Sequence, residues 1–281
     1  MEQKLEHKDS RNSLIAEITG YLGGAFILIS VAIFVGERFE TIDRTLRSGL
    51  FIVLSAILVV VTFTLGIHSP LRSRLASVAA LGSSISMSVA LGLYFDIDRT
   101  PLFALGVGTV MTVYFFYRNR NELLHLGTAG YLFITSIMIA ATIVDEDVDA
   151  LTMPVAASFW LGLAAIWIYL AYNRKIQVTL GYVLGSGLLF LATQVFFNEK
   201  HRPISYLVAA VSVFALMRIY LQERVWPLLV APLLIANVSI AELIAATLGG
   251  SLGAVSGLFI AGILLVVTSR YVIRSLNPQK H

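Results

Sequence analysis

Long runs of apolar residues, separated by short polar segments, dominate the chain. Each run is close to the roughly 20 helical residues needed to cross a hydrocarbon core of about 30 Å. Because a helix satisfies its own backbone hydrogen bonds in lipid, the pattern predicts an all-α, polytopic transmembrane helical bundle of about ten spans. The predicted spans are 18–36, 48–66, 75–95, 101–117, 126–144, 154–172, 176–197, 203–220, 226–248 and 251–269.

The composition agrees with this pattern. Of the 281 residues, 57% are hydrophobic and 13% are charged, whereas a soluble domain carries about 25% charged residues. The chain has no cysteine, which excludes disulfides, thiolate nucleophiles and cysteine-based metal sites. It also has no basic tract or motif typical of nucleic-acid binding, so the predicted partner is the lipid bilayer and not a nucleic acid.

The basic residues of the polar segments indicate an orientation. With the N-terminus in the cytoplasm, fourteen of the 20 Lys and Arg residues fall in inner segments and six in outer ones. Cytoplasmic loops carry the excess of Lys and Arg, so both termini are expected in the cytoplasm of a bacterial cell whose inner membrane holds the protein. The predicted divisions are a cytoplasmic segment 1–17, a transmembrane domain 18–269 and a cytoplasmic tail 270–281.

The first outer segment, GERFETIDRTLRSG (36–49), has two interpretations. As a helix it places Phe39, Ile42 and Leu46 on one face, and such a helix would lie in the plane of the membrane interface. The alternative is a solvated loop.

Tyrosine or phenylalanine and basic residues recur together at the inner ends of predicted spans. The segments are FYRNR (116–120), AYNRK (171–175), RIYLQER (218–224) and SRYVIR (269–274). Their spacing of about 50 residues is the length of a helical hairpin. The period is expected either from a hairpin duplication of the kind found in transporters or from any bundle with aromatic belts and basic cytoplasmic ends.

One stretch carries a family resemblance. Residues 17–61, EITGYLGGAFILISVAIFVGERFETIDRTLRSGLFIVLSAILVVV, combine Gly-Tyr-Leu-Gly-Gly, an apolar span, a segment with acids, bases and an aromatic residue, and a second span. This order resembles the bacterial predicted-membrane-protein family catalogued as domain of unknown function 2157. Phe39 stands where that family often has Trp, and the segment before the first span is short. The resemblance implies a multi-pass bacterial membrane protein and supplies no activity.

Ser239 and Glu242 form a candidate polar intramembrane site in the ninth predicted span. An ionised side chain at the bilayer centre costs about 2.5–3.5 kcal/mol on insertion scales. Ser239 shares a helix face with Glu242, and Pro232 upstream is expected to kink the span. The site either lines a substrate or proton path or is structural, with Glu242 hydrogen-bonded to a neighbouring helix or reaching water on the outer side.

A stripe of small residues is expected at a helix contact. Its members recur every four residues and are Gly249, Gly253, Gly257 and Ala261. Small residues at this spacing let another helix approach closely. The partner is either a helix of the same chain or a second copy in a homodimer, and Gly181 with Gly185 is a shorter version of the same pattern.

Enzyme chemistry has little support. The histidines have no ligand spacing and fall in predicted termini or loops: His7, His68, His125, His201 and His281. The alternating aspartates of 145–149 lack the Gly and Glu of a calcium-binding loop, and no hydrolase or phosphate-binding motif is present. We therefore expect no catalytic residue, cofactor or metal. Hydroxyls inside spans, such as Ser83 and Thr193, are expected to bond back to their own helices or to line a polar path.

Two functions fit these features. The first is a non-enzymatic membrane scaffold or accessory subunit, with a membrane protein or a second copy as partner. The second is a small-molecule or ion permease with a polar site around Glu242. The first is slightly favoured because the spans hold too few charges for clear ion coupling. A water-accessible cavity beside Glu242 would favour the second.

Overall fold

The structure is a computed structural model that describes residues 42–66, 69–95, 101–144, 149–195 and 202–249, with short helical pieces between 255 and 266. Within the five long ranges the chain forms eight helices and no strand. They are α1 Arg44–Leu65, α2 Pro70–Phe95, α3 Pro101–Arg118, α4 Glu122–Ile143, α5 Asp149–Tyr172, α6 Val178–Val195, α7 Arg202–Glu223 and α8 Pro227–Leu248.

The described helices match the second to ninth predicted spans. Seven of these eight helices are long and apolar enough to cross a membrane, all but α3, so the chain is a membrane-embedded helical protein. The first predicted span and most of the tenth lie outside the described residues, so ten spans and the cytoplasmic termini stay predictions.

Four helices begin four or five residues before the apolar runs do. Asp43 caps α1 by accepting a 3.0 Å hydrogen bond from the amide of Thr45, and this bond lowers the pKa of Asp43; Asn121 caps α4 in the same way. Residues 44–49 therefore belong to the spanning helix α1. For residues 44–49 this corrects both interpretations of the segment 36–49, the interfacial helix and the solvated loop, because the cap at Asp43 starts the spanning helix there; residues 36–41 lie outside the described residues.

Each half of the described bundle is built around its second helix. In the first half α2 packs against α1, α3 and α4, and in the second half α6 packs against α5, α7 and α8. The contact between α4 and α5 joins the halves. This arrangement leaves α7 and α8 as a paired hairpin against one face of α6.

Hydroxyl groups join α1 to α2. Two of them on α1, seven residues apart, donate to backbone carbonyls of α2: Ser48 to Ala90 (2.8 Å) and Ser55 to Ser83 (2.9 Å). Thr62, seven residues further on, donates within α1 to Leu58 at 2.8 Å. Ser48 and Ser55 are buried, whereas many large apolar side chains of α1 are exposed. The contact face of α1 is therefore small and polar, and its apolar side chains face outward, as lipid requires.

Glycines bring α6 against α5. A Cβ atom on Gly181 would lie 2.9 Å from the Cβ of Ala171, and one on Gly185 would lie 2.7 Å from the Cγ1 of Ile168 and 3.1 Å from the carbonyl oxygen of Ala164. Neither position has room for a side chain. The Gly181 and Gly185 pair thus permits a close contact between two helices of one chain.

Candidate functional site: the polar face between α7 and α8

Glu242 is paired with a charge from the neighbouring helix. Its Oε1 lies 3.4 Å from the Nε of Arg202, the first residue of α7, and the two side chains are 27% and 33% exposed. Pairing reduces the cost of placing either charge in the membrane. The N-terminal end of a helix disfavours a cation and favours a carboxylate, so Glu242 compensates Arg202 at the end of α7 where it lies.

Each charged residue of the pair has a serine one turn away, towards the connection between the two helices. Ser205 lies three residues along α7 from Arg202, and Ser239 lies three residues back along α8 from Glu242. Ser205 is fully buried. The hydroxyl oxygens of both serines are buried and have no hydrogen-bond partner among the described residues. Buried hydroxyls without partners are unusual in an apolar environment.

Other polar residues lie nearby along the two helices. Tyr206 lies one turn along α7 from Arg202. Asn237 is buried at 4% exposure, but it is two residues from Ser239 and therefore points in another direction around the helix. The helix α8 runs continuously through Pro232.

The depth of the site follows from helix geometry. At 1.5 Å per residue, Glu242 lies about 9 Å and Ser239 about 14 Å from the C-terminal end of α8 at Leu248. The hairpin of α7 and α8 thus offers a cation, a carboxylate and two hydroxyls. Such a set can either hold the two helices together or take up a small polar group.

The glycine stripe divides into different roles. Gly249 is the C-cap of α8, with φ +68°, and no atom lies within 4 Å of where its Cβ would be. It therefore ends a helix in a conformation that favours glycine, which corrects its assignment to a packing surface. A Cβ on Gly257 would lie 2.7 Å from the carbonyl oxygen of Ala241, so Gly257 contacts α8 of the same chain. Gly253 and Ala261 lie outside the described residues.

Sequence reasoning missed a buried histidine. His125, expected in a loop, is fully buried in α4. Its Nε2 accepts a 2.7 Å hydrogen bond from the indole Nε1 of Trp167 on α5, and its ring stacks on Phe116 at 5.0 Å. Because an indole N–H only donates, the ring proton is on Nδ1, which faces Gln177 outside normal hydrogen-bond geometry. Asn121 indicated in the sequence that this helix starts before His125, because asparagine is one of the residue types that favour N-caps.

A second bond joins the halves at the middle of α5. The indole Nε1 of Trp160 donates to the Oγ of Ser136 on α4 at 2.9 Å, and Ser136 donates in turn to the carbonyl oxygen of Phe133 at 2.6 Å. The two tryptophans thus hold α5 against α4 through polar atoms that are buried in the bundle.

Hydroxyls elsewhere in the spans bond mostly to their own helices. Ser83 and Ser84 both donate to the carbonyl oxygen of Ala80, at 2.7 and 3.0 Å, and Thr193 donates to that of Phe190 at 2.7 Å. Back-bonding of this kind satisfies a hydroxyl without a partner helix. Of the two interpretations of these hydroxyls, bonding to their own helices or lining a polar path, this is the first.

Comparison with known proteins gives no relative: no family model, no curated protein and no solved structure matches the chain. The resemblance of residues 17–61 to the domain-of-unknown-function family stays a prediction.

Proposed function

We propose that the chain is a non-enzymatic scaffold or accessory subunit of a bacterial inner membrane. The observation that carries this proposal is the use of polar side chains within the spans. Hydroxyls of α1 bond to α2, indoles of α5 bond to α4, and Glu242 pairs with Arg202. Polar groups used in this way hold the helices of one chain together and are not available to a moving substrate.

A permease is the second candidate, and one observation favours it. The hydroxyls of Ser205 and Ser239, each one turn from a residue of the ion pair, are buried and have no hydrogen-bond partner among the described residues. In a transporter, polar groups near mid-membrane would be satisfied by water or by the substrate. The two functions therefore differ in whether water reaches Ser239.

The absence of cysteine from the chain makes this difference measurable. A single cysteine at Ser239 would be nearly isosteric with the native residue and would be the only thiol in the protein. Thiol reagents attack the thiolate, which forms in water and not in an apolar environment. The reaction of Ser239→Cys with a membrane-impermeant maleimide in permeabilised membranes therefore reports water at the site.

Two control variants frame the measurement. Lys175→Cys, in the exposed connection between α5 and α6, should react fully, and Val211→Cys, 60% exposed on the outside of α7, should not react because it faces lipid. The scaffold proposal expects Ser239→Cys to be as unreactive as Val211→Cys. Reaction at the rate of Lys175→Cys would overturn the scaffold proposal and support the permease.

The ion pair gives a second test. Glu242→Gln keeps a polar group beside Arg202 but removes the opposite charge, and because both side chains are partly exposed it should cost no more than about 1 kcal/mol in mild detergent. Glu242→Leu leaves Arg202 without its partner and should cost about 1–3 kcal/mol. If both variants were as stable as wild type, the pair would have no structural role, and the scaffold proposal would lose one of its supports.

A further inference from the structure

A groove runs between α5 and α7 on the outer surface of the described bundle. Both helices pack on α6, and the space between them has a volume of about 680 Å³. Its walls are almost entirely apolar and include Leu161, Ile168, Val211 and Ala215, with Leu189 of α6 among the lining residues. The groove follows α7 from residue 207 to residue 222, about 22 Å at 1.5 Å per residue.

The end of the groove near residue 222 is polar. The hydroxyl of Tyr172 donates to the Oε1 of Gln222 at 3.4 Å across the groove, and Tyr169, one turn before Tyr172, is 65% exposed. Tyrosine is enriched at this depth, where the hydrocarbon meets the headgroups. The sequence segments AYNRK and RIYLQER contribute the residues that meet here.

A cation stands at the rim of this end. Arg218 lies one turn before Gln222 and two turns after Val211, so all three share one edge of α7, and it is exposed. The neighbouring bases are engaged elsewhere. Arg174 forms a 2.8 Å ion pair with Glu223, and Arg224 stacks over the ring of Tyr220 at 5.6 Å. Arg218 makes no ion pair with a described residue and is the charge best placed to meet a ligand in the groove.

The walls and the rim of the groove together indicate its occupant. An extended hydrocarbon chain is narrow enough to enter it, and an apolar wall that ends in tyrosines and an arginine matches a chain that ends in a headgroup. Basic sites between transmembrane helices are suited to anionic lipid headgroups.

We propose that this groove binds one anionic phospholipid, with an acyl chain along α7 and its phosphate against Arg218. The site is separate from the polar face between α7 and α8 and does not depend on whether the protein is a scaffold or a permease. It gives the paired aromatic and basic segments of α5 and α7 a common ligand.

Native mass spectrometry of the full-length protein tests the proposal. The purified chain is equilibrated with vesicles of dioleoyl phosphatidylglycerol and dioleoyl phosphatidylcholine in equal amounts, and bound lipids are counted after release from detergent. Wild type should retain one phosphatidylglycerol in preference to phosphatidylcholine. Arg218→Gln should weaken retention of phosphatidylglycerol about five-fold and leave that of phosphatidylcholine unchanged.

Matched variants separate the groove from general effects of charge. Arg72→Gln removes an exposed base at the start of α2 and should retain phosphatidylglycerol as wild type does. Ala215→Trp fills the groove from its exposed wall and should lower retention of both lipids. Wild-type retention in both Arg218→Gln and Ala215→Trp would overturn the proposal. So would a loss of dimers in Ala215→Trp without loss of lipid, because the occupant would then be a second copy of the chain.

Discussion

The two halves of the described bundle have the same pattern of helix contacts. They differ in what holds the first two helices of each half together. Their helices begin at residues 44, 70, 101 and 122 and at 149, 178, 202 and 227, so equivalent starts are 105, 108, 101 and 105 residues apart. In each half the second helix touches the other three. In the first half serine hydroxyls join α1 to α2, and in the second half glycines let α6 approach α5.

The difference shows two ways of holding a pair of helices together in lipid. Apolar contact gives little net gain between helices in lipid, because lipid chains are as apolar as leucine. A helix pair must therefore gain from close packing or from polar bonds. The hairpin of α5 and α6 relies on backbone approach at Gly181 and Gly185, whereas that of α1 and α2 relies on bonds from Ser48 and Ser55. The two hairpins should respond oppositely to added volume and to lost hydroxyls.

Added volume at Gly185 should have the largest effect. Gly185→Leu would force its side chain against Ile168 and the carbonyl of Ala164, so α5 and α6 would separate. We expect a loss of about 3 kcal/mol in the free energy of unfolding, measured by denaturant titration of the purified protein in mild detergent, with a reduced yield of folded protein.

Gly187 on the same helix provides the control, because no atom lies within 4 Å of its Cβ position. Gly187→Leu should not lower the free energy of unfolding, because its side chain meets no neighbouring atom at Cβ and leucine is a better helix former than glycine. The alanine variants sharpen the contrast, since Gly187→Ala should stabilise α6 by about 0.5–1 kcal/mol and Gly185→Ala should destabilise it. Equal effects at the two positions would show that backbone approach does not close this hairpin.

The bonds between the halves predict an intermediate effect. Trp167→Phe leaves the buried Nε2 of His125 without a donor and should cost about 1–3 kcal/mol. Trp160→Phe should lower the free energy of unfolding by less, because the Ser136 hydroxyl keeps its own hydrogen bond to the carbonyl oxygen of Phe133. The same denaturant titration compares the two. A larger loss from Trp160→Phe would contradict this order and would mean that packing volume, not the acceptor left unpaired, dominates at the contact between α4 and α5.

The sequence predicted the existence of the helices but not their partners. Apolar runs indicate which residues lie in lipid, so α1 to α8 were predicted to within five residues. Their starts depend on caps such as Asp43 in the interface, where hydropathy is uninformative. His125 was assigned to a loop for this reason.

The candidate site was predicted in part. Glu242 and Ser239 stand out from an apolar span by their chemistry alone. Arg202 lies 40 residues from Glu242, and only the register of the hairpin brings the two together. The sequence also could not predict that Gly249 ends a helix whereas Gly257 contacts one. The two glycines differ in backbone conformation and in neighbours, and not in residue type.

Loss of a single hydroxyl predicts the smallest effect and tests the other side of the comparison. Ser55→Ala removes the bond to the carbonyl oxygen of Ser83 and should cost about 0.6 kcal/mol, the mean for such bonds between membrane helices. Thr64→Val is the control, because the hydroxyl of Thr64 bonds within α1, to Val61, and its loss should leave the contact with α2 unchanged. Ser48→Ala should add to Ser55→Ala almost independently, since the two positions lie about 10 Å apart. If Ser55→Ala and Thr64→Val both unfolded at the wild-type point, the small size of serine and not its hydroxyl would hold α1. The two hairpins would then share one packing mechanism.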